Sequence, residues 1–333
     1  MRKAIKKIPV IGKVDSSTLS ILVALIITCI VFSILSPYFL SMRNFRSIGL
    51  YAAIIGCMAT GATVVMLMGC LDLSQHAVGA LGTILITIFV DRMGLPVGAA
   101  IVLALLMGTV YGAFNGFLVA KCGISPMIAT MGSQYIARGL CYILTNSKTI
   151  TFSNRTLQVI GRGMVLGIPN TVLVMFACFF ILSYVLNKTV YGRCVYAVGA
   201  NQNAAFLSGI GPVKTKLIAY VICAVTSIIG GIITVSQLGA AVPSSGVGSE
   251  MEIIASVYLG GLAANGGKGG LLGTFLGVSL LCVINNGLTM LRLTGNSEFW
   301  KKAIQGMVIL VAVVTNVLIS RAHARWVLRE RRM

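Results

Sequence analysis

What most restricts this chain is the recurrence of long apolar runs, one after another, with only short polar breaks between them. A helix that crosses a hydrocarbon core needs about 20 predominantly apolar residues. About ten runs approach or reach that length, at roughly 19–35, 48–69, 76–90, 97–120, 125–145, 171–187, 217–236, 251–264, 270–291 and 302–320. Only 10% of the residues are charged, against about a quarter in soluble domains, so a water-soluble fold is excluded. The expected class is all-α, a polytopic membrane protein of about ten transmembrane helices. The third and eighth runs are short and abut glycines, where broken, tilted or partly re-entrant helices are expected.

The basic residues give an orientation. Ten spans put both termini on one side of the membrane, together with the loops holding Lys121, Lys188, Arg193, Lys214, Lys216 and Lys268. That side carries 16 Lys and Arg against nine on the other, so it is read as cytoplasmic. Arg138 lies inside the fifth span and is expected to face the protein interior or to snorkel outward. No small-residue cleavage site ends the first run, which is read as a retained helix. The organisation expected is a basic cytoplasmic N-terminus (1–18), a transmembrane domain (19–320) with a cytoplasmic loop at 188–216, and a basic cytoplasmic tail (321–333).

Several chemistries are set aside on residues. The net charge of +19 is accounted for by basic residues flanking spans, where anionic lipid attracts them, so membrane lipid rather than nucleic acid is the expected partner. The nine cysteines mostly lie within spans, with no CxxC pair, and read as small buried apolar residues. His76 and His323 are too far apart to mark a local metal site. The glycine cluster Asn265-Gly-Gly-Lys-Gly-Gly270 fails as a phosphate loop: Leu262 stands where the first glycine belongs, and Gly269 replaces the hydroxyl residue. It reads as a tight turn. No cofactor is expected in this chain.

One polar interruption is unusual. Between two spans, Tyr191–Lys216 reads YGRCVYAVGANQNAAFLSGIGPVKTK. Asn201 or Asn203 is placed to cap a short helix beginning at Ala204, with Phe206 and Leu207 as its apolar face and Gly209 closing it. Exposed apolar side chains on a surface helix call for a covering partner; packing back on the protein's own spans is the alternative.

The run Asn203-Ala204-Ala205-x-x-x-Gly209 resembles the EAA---G signature of ABC importer permeases, with Asn in place of Glu. Further segments resemble the ribose/monosaccharide branch of that family in order: GCLDLS (69–74), GAFNGFLVAKCGISPMIATMG (112–132), ARG (137–139), GSEMEIIASVYLGG (248–261), GGKGGLLGT (266–274) and INNGL (284–288). The resemblance covers nearly all of 45–315. It implies the membrane half of a bacterial inner-membrane sugar importer, a homodimer served by a tandem-domain ATPase that binds ATP and magnesium. It also implies an extracytoplasmic sugar-binding protein that delivers a monosaccharide, with ribose as the default. Carried onto this chain, Gly199–Ile210 becomes the coupling region. Gly199, Asn201, Asn203, Ala204, Ala205, Leu207, Ser208, Gly209 and Ile210 are the residues expected to meet the ATPase.

The intramembrane polar residues are the candidates for a solute pathway: Asp72, Ser74, Asn115, Asn285 and Asn286. For Asp72 and Ser74 the competing reading is helix capping of the third span. For Asn115-Gly116 and Asn285-Asn286-Gly287 it is interhelical glue. Glu250 and Glu252 are expected at the outer start of the eighth span, where acids suit a helix N-terminus and are also placed to pair with a delivery protein. Asn115 on an inward span and Asn286 on an outward one raise an inverted repeat of spans 2–5 and 7–10. Two other function classes stand beside the importer: an ion-coupled secondary transporter of a small polar solute, with Asp72 as the coupling acid, and a membrane enzyme. The enzyme lacks any nucleophile–base or metal constellation.

Overall fold

The computed structural model describes residues 16–152 and 154–291, with scattered positions between 300 and 310. The last expected span (302–320) falls largely outside the described residues, as do the N-terminal basic segment through residue 15 and the basic tail. The chain is helical: α1 (Ser16–Leu35), α2 (Met42–Met66), α3 (Gln75–Asp91), α4 (Val97–Ala120), α5 (Pro126–Thr145), α6 (Arg155–Arg162), α7 (Asn170–Lys188), α8 (Val190–Ala200), α9 (Gln202–Leu207), α10 (Pro212–Leu238), α11 (Glu250–Leu259) and α12 (Leu271–Met290). Two short antiparallel pairs complete it, β1 (Ile150–Thr151) with β4 (Ala240–Ala241) and β2 (Met164–Val165) with β3 (Ile168–Pro169).

Among the described residues, six helices are long and apolar enough to cross a membrane: α1, α2, α4, α7, α10 and α12. α3 is apolar but shorter, and α11 has only 10 residues. Both follow an irregular stretch (67–74 before α3, 242–249 before α11), so each is a helix interrupted at its start. Ile26, Ile30 and Ile34 on α1, Leu106 and Val110 on α4, and Phe180, Ile181 and Tyr184 on α7 are exposed. An apolar belt of this extent suits hydrocarbon and not water.

The core is built on α2 and α10, which lie side by side and antiparallel. Gln237 near the end of α10 donates to the Leu50 carbonyl near the start of α2 (3.1 Å), while Gly61 of α2 packs on Cys223 of α10. Small residues set the spacing, as expected where lipid supplies no hydrophobic drive between helices. α4 buries a narrow stripe at every fourth position, Ala100, Ala104, Gly108, Gly112 and Gly116. The three glycines rest on Ile228, Tyr220–Val221 and Leu217 of α10, which a side chain at any of them would overlap.

The packing has a two-fold pattern. α10 packs on α3 and α4, α2 packs on α11 and α12, and within each set α3 meets α4 and α11 meets α12. The two central helices share a local pattern, Tyr51…Gly61 in α2 and Tyr220…Gly230 in α10, with the same spacing. Each tyrosine hydroxyl bonds at the interrupted helix of its partner set: Tyr220 donates to the Leu71 carbonyl before α3 (3.0 Å), and Tyr51 donates to Glu252 of α11.

Candidate functional site: a capped surface helix and two intramembrane polar clusters

The polar interruption is mostly helix, which its composition had hidden. α8 forms because Thr189 caps it, accepting the Gly192 N–H (3.3 Å), and because Gly192, Val195 and Val198 recur on one buried face. Its far end is locked in place. Gly199 abuts the Leu67 carbonyl so closely that a Cβ would overlap it, and the same carbonyl accepts the Gly267 N–H at 2.7 Å. Tyr196 donates to the Gly269 carbonyl (3.0 Å). The end of α2, the end of α8 and the 260–270 turn thus meet at one junction. The glycine cluster there is a tight turn, with Gly266, Gly267 and Gly269 all at positive φ.

After a break at Asn201 the chain makes α9. Of the two candidate caps, Asn201 does the work: its Oδ1 accepts the Ala204 N–H at 3.0 Å. The helix begins at Gln202, two residues earlier than its pattern predicts, and Asn203 is exposed on it. Its end is a Schellman closure, with Gly209 N–H on Phe206 O (3.0 Å) and Ile210 N–H on Ala205 O (3.0 Å). Gly209 sits at φ 83°, the left-handed conformation glycine adopts without penalty. Ser208 Oγ donates to the Ala204 carbonyl (2.9 Å). The capping makes α9 a rigid platform with distinct faces. Ala205 is 4% exposed and turned inward, while Phe206 and Leu207 are 67% and 86% exposed. Ala204 and Ser208 are exposed and Ile210 is half-buried. Lys216 at the foot of α10 donates to Gln202 Oε1 (2.7 Å), bracing α9 from the other side. Replacing Asn201 with Ala removes the cap and should destabilise α9 by about 1 kcal/mol. The expected result is faster amide exchange over 202–209 with no change in the exchange of α10.

The pathway candidates fall into two clusters at opposite ends of α10. Near its start, Asp72 Oδ1 accepts both the Ser74 N–H (2.9 Å) and the Ser74 hydroxyl (2.6 Å), and Asn115 Nδ2 donates to Ser74 Oγ (3.0 Å). Ser74 holds the N-cap position of α3 but makes no side-chain capping bond; its hydroxyl donates to Asp72 and accepts from Asn115. Asp72, Ser74 and Asn115 are all buried. Gln75 and His76, on the first turn of α3, join this cluster; they are not among the pathway residues expected from sequence, although two polar residues directly after Asp72 and Ser74 in an apolar chain are the available signal. Arg138 faces the interior, its guanidinium donating to the Pro243 carbonyl (2.5 Å).

At the other end of α10 lie Glu252, Tyr51 and buried Asn285, with Asn286 half-buried. Glu250 and Glu252 occupy the first turn of α11, where negative charge is favoured, and Glu252 is half-buried and turned onto the Tyr51 hydroxyl. Asn115 and Asn285 therefore do not share one site. Each instead sits beside one interrupted helix. Among the described residues no group of His, Cys, Asp and Glu is arranged to hold a metal ion.

Comparison with known proteins agrees in kind with this architecture. Residues 44–313 match the family described as "Branched-chain amino acid transport system / permease component". The ribose import permease protein RbsC of Bacillus subtilis (strain 168) is 38% identical over 292 residues, 87% of this chain and 89% of that protein. RbsC of Escherichia coli (strain K12) is 35% identical over 301 residues, covering 89% and 92% of the two chains. The L-arabinose transport system permease protein AraH of the same strain is 31% identical over 297 residues, covering 89% and 88%. No solved structure matches the chain.

Proposed function

Because this chain belongs to the permease-component family of branched-chain amino acid transport systems, we propose that it is the membrane subunit of an ATP-driven importer of a monosaccharide. The sugar class is supported by relatives whose names specify ribose import and L-arabinose transport and which align over most of their length. The chain is a transporter subunit and not an enzyme in its own right; ATP and magnesium belong to a partner ATPase with two nucleotide-binding domains. Two copies of the chain pair in the membrane, each with ten spans and both termini in the cytoplasm.

The observation that carries the reading is α9: a doubly capped helix that turns Ala205 inward and presents Phe206 and Leu207 outward. It is the coupling helix, received by a groove of the ATPase. The junction of α8 with Leu67 and Gly267 carries its displacement to the ends of α2 and α11. On the opposite face an extracytoplasmic binding protein delivers the sugar, near the C-terminal end of α10 and the start of α11 with Glu250 and Glu252. The two-fold packing of α2–α4 against α10–α12 is an inverted repeat, the arrangement in which interrupted helices line a solute path. Asp72, Ser74, Asn115, Asn285 and Asn286 lie along that path. Alternating access follows when ATP closes the ATPase and the two coupling helices are drawn together.

The test is uptake. Proteoliposomes holding this chain and its ATPase, loaded with magnesium-ATP and given binding protein and radiolabelled ribose outside, are expected to accumulate ribose. That uptake should be abolished by internal vanadate. Accumulation by this chain alone under a proton or sodium gradient would overturn the assignment in favour of a secondary transporter.

A further inference from the structure

The first turn of α3 gathers buried polar atoms that the protein itself leaves unpaired. Gln75 Oε1, His76 Nε2, Asn115 Oδ1 and one terminal nitrogen of Arg138 have no hydrogen-bond partner, and each of the four residues is more than nine-tenths buried. Such groups lower stability unless something pairs with them. All four flank the first turn of α3. Gln75 and His76 are consecutive on α3, Gln75 is held by Cys223 of α10 (3.1 Å), and Asn115 reaches Ser74 from α4. Arg138 of α5 is tied to Pro243, and Gly246 of the same loop lies against the His76 ring. Three helices (α4, α5 and α10) and the segment before α11 therefore converge on the start of the interrupted helix α3.

The orientation of Asn115 follows from its neighbour. Ser74 gives its single hydroxyl proton to Asp72, so it can only accept from Asn115, which leaves the Asn115 carbonyl oxygen free. The unpaired set is thus mixed: acceptors on Gln75 and Asn115, a donor on Arg138, and a His76 nitrogen that serves as either. A carboxylate solute would suit Arg138 but leave the acceptors unpaired, and a cation would be repelled by Arg138. A neutral polyhydroxylated solute matches all four, because every hydroxyl both donates and accepts. We propose that Gln75, His76, Asn115 and Arg138 form the site where the transported sugar is held inside the permease, and that its hydroxyls complete the bonds these side chains lack. This rests on the importer reading above and adds to it a selective site within the membrane subunit.

The test measures discrimination, which a merely structural role would not alter. Initial uptake of radiolabelled ribose and of 2-deoxy-, 3-deoxy- and 5-deoxyribose is compared for the complete complex carrying wild type, Gln75→Leu, His76→Phe or Asn115→Leu. The same binding protein is used throughout, so its own selectivity cancels when variants are compared with wild type. A site that bonds a hydroxyl rejects an analogue lacking it, and loses that rejection when its bonding group is removed. At least one variant is expected to change the ribose-to-deoxyribose ratio by about ten-fold or more, with ATPase co-purification unchanged. Unchanged ratios in all three, in a complex that imports ribose, would overturn the proposal while leaving the importer reading intact. If a variant fails to accumulate, Gln75→Met, His76→Asn or Asn115→Ala is measured in its place by the same criterion. Absence of uptake by the wild-type complex would overturn the importer reading, and this site with it.

Discussion

A chain carrying Phe206→Asp and Leu207→Asp is expected to reach the membrane in normal amounts, fold normally, and lose its ATPase. Both side chains are already mostly in solvent, so the free protein loses little packing, and surface changes of this kind are usually worth within about ±0.5 kcal/mol. In the proposed complex with the ATPase the same two positions form the apolar centre of the contact. Burying an unpaired carboxylate there costs several kcal/mol, and two together should reduce docking by more than about a thousand-fold, since each 1.4 kcal/mol is ten-fold in affinity. Co-purification of a tagged ATPase with the double variant, at wild-type stoichiometry, would refute the role given to α9. Ala205→Arg should also abolish docking but is a less clean probe, because Ala205 faces inward and an arginine there would unseat the helix. Gly209→Glu tests the same face through the left-handed conformation at the C-terminal closure.

The second large effect belongs to Gly199, and it should look different. Any side chain there meets the Leu67 carbonyl oxygen and the Gly267 backbone nitrogen. These are backbone atoms of two other segments, already bonded to each other at 2.7 Å, and they cannot turn aside as a flexible side chain would. Gly199→Val is therefore expected to break the junction, with a loss of at least about 1–3 kcal/mol, the usual range for overpacking. The readout is a lowered thermal midpoint and poor accumulation of the detergent-solubilised protein, even with no ATPase present. A variant of normal stability that loses only the ATPase would show that Gly199 touches the partner instead. The two experiments together separate the surface that makes the contact from the joint that carries its motion.

Much of this was legible in the chain alone, for identifiable reasons. The apolar run at 97–120 is α4 to the residue, because a membrane helix needs only sustained hydrophobicity and that is a local property. The short helix ending at Gly209 could be read because capping also acts within a few residues: an Asn before it, a glycine after it. α8 could not be read. Its glycines, arginine and tyrosines look like loop until Val195 and Val198 find their neighbours. The polar site shows the same limit. Asp72, Ser74 and Asn115 stand out by type, but Gln75 and His76 matter through contacts with residues far along the chain, at 223 and 246.

By itself, then, the sequence determined the class of fold, the positions of most helices and the presence of a capped surface helix. These follow from hydrophobic length and from hydrogen bonds between near neighbours. Only the tertiary structure decided which face of α9 is free, that Gly199 is a joint, and that four unpaired polar groups surround the start of α3. Those depend on how closely α2, α4 and α10 approach, which their glycines permit but do not by themselves specify.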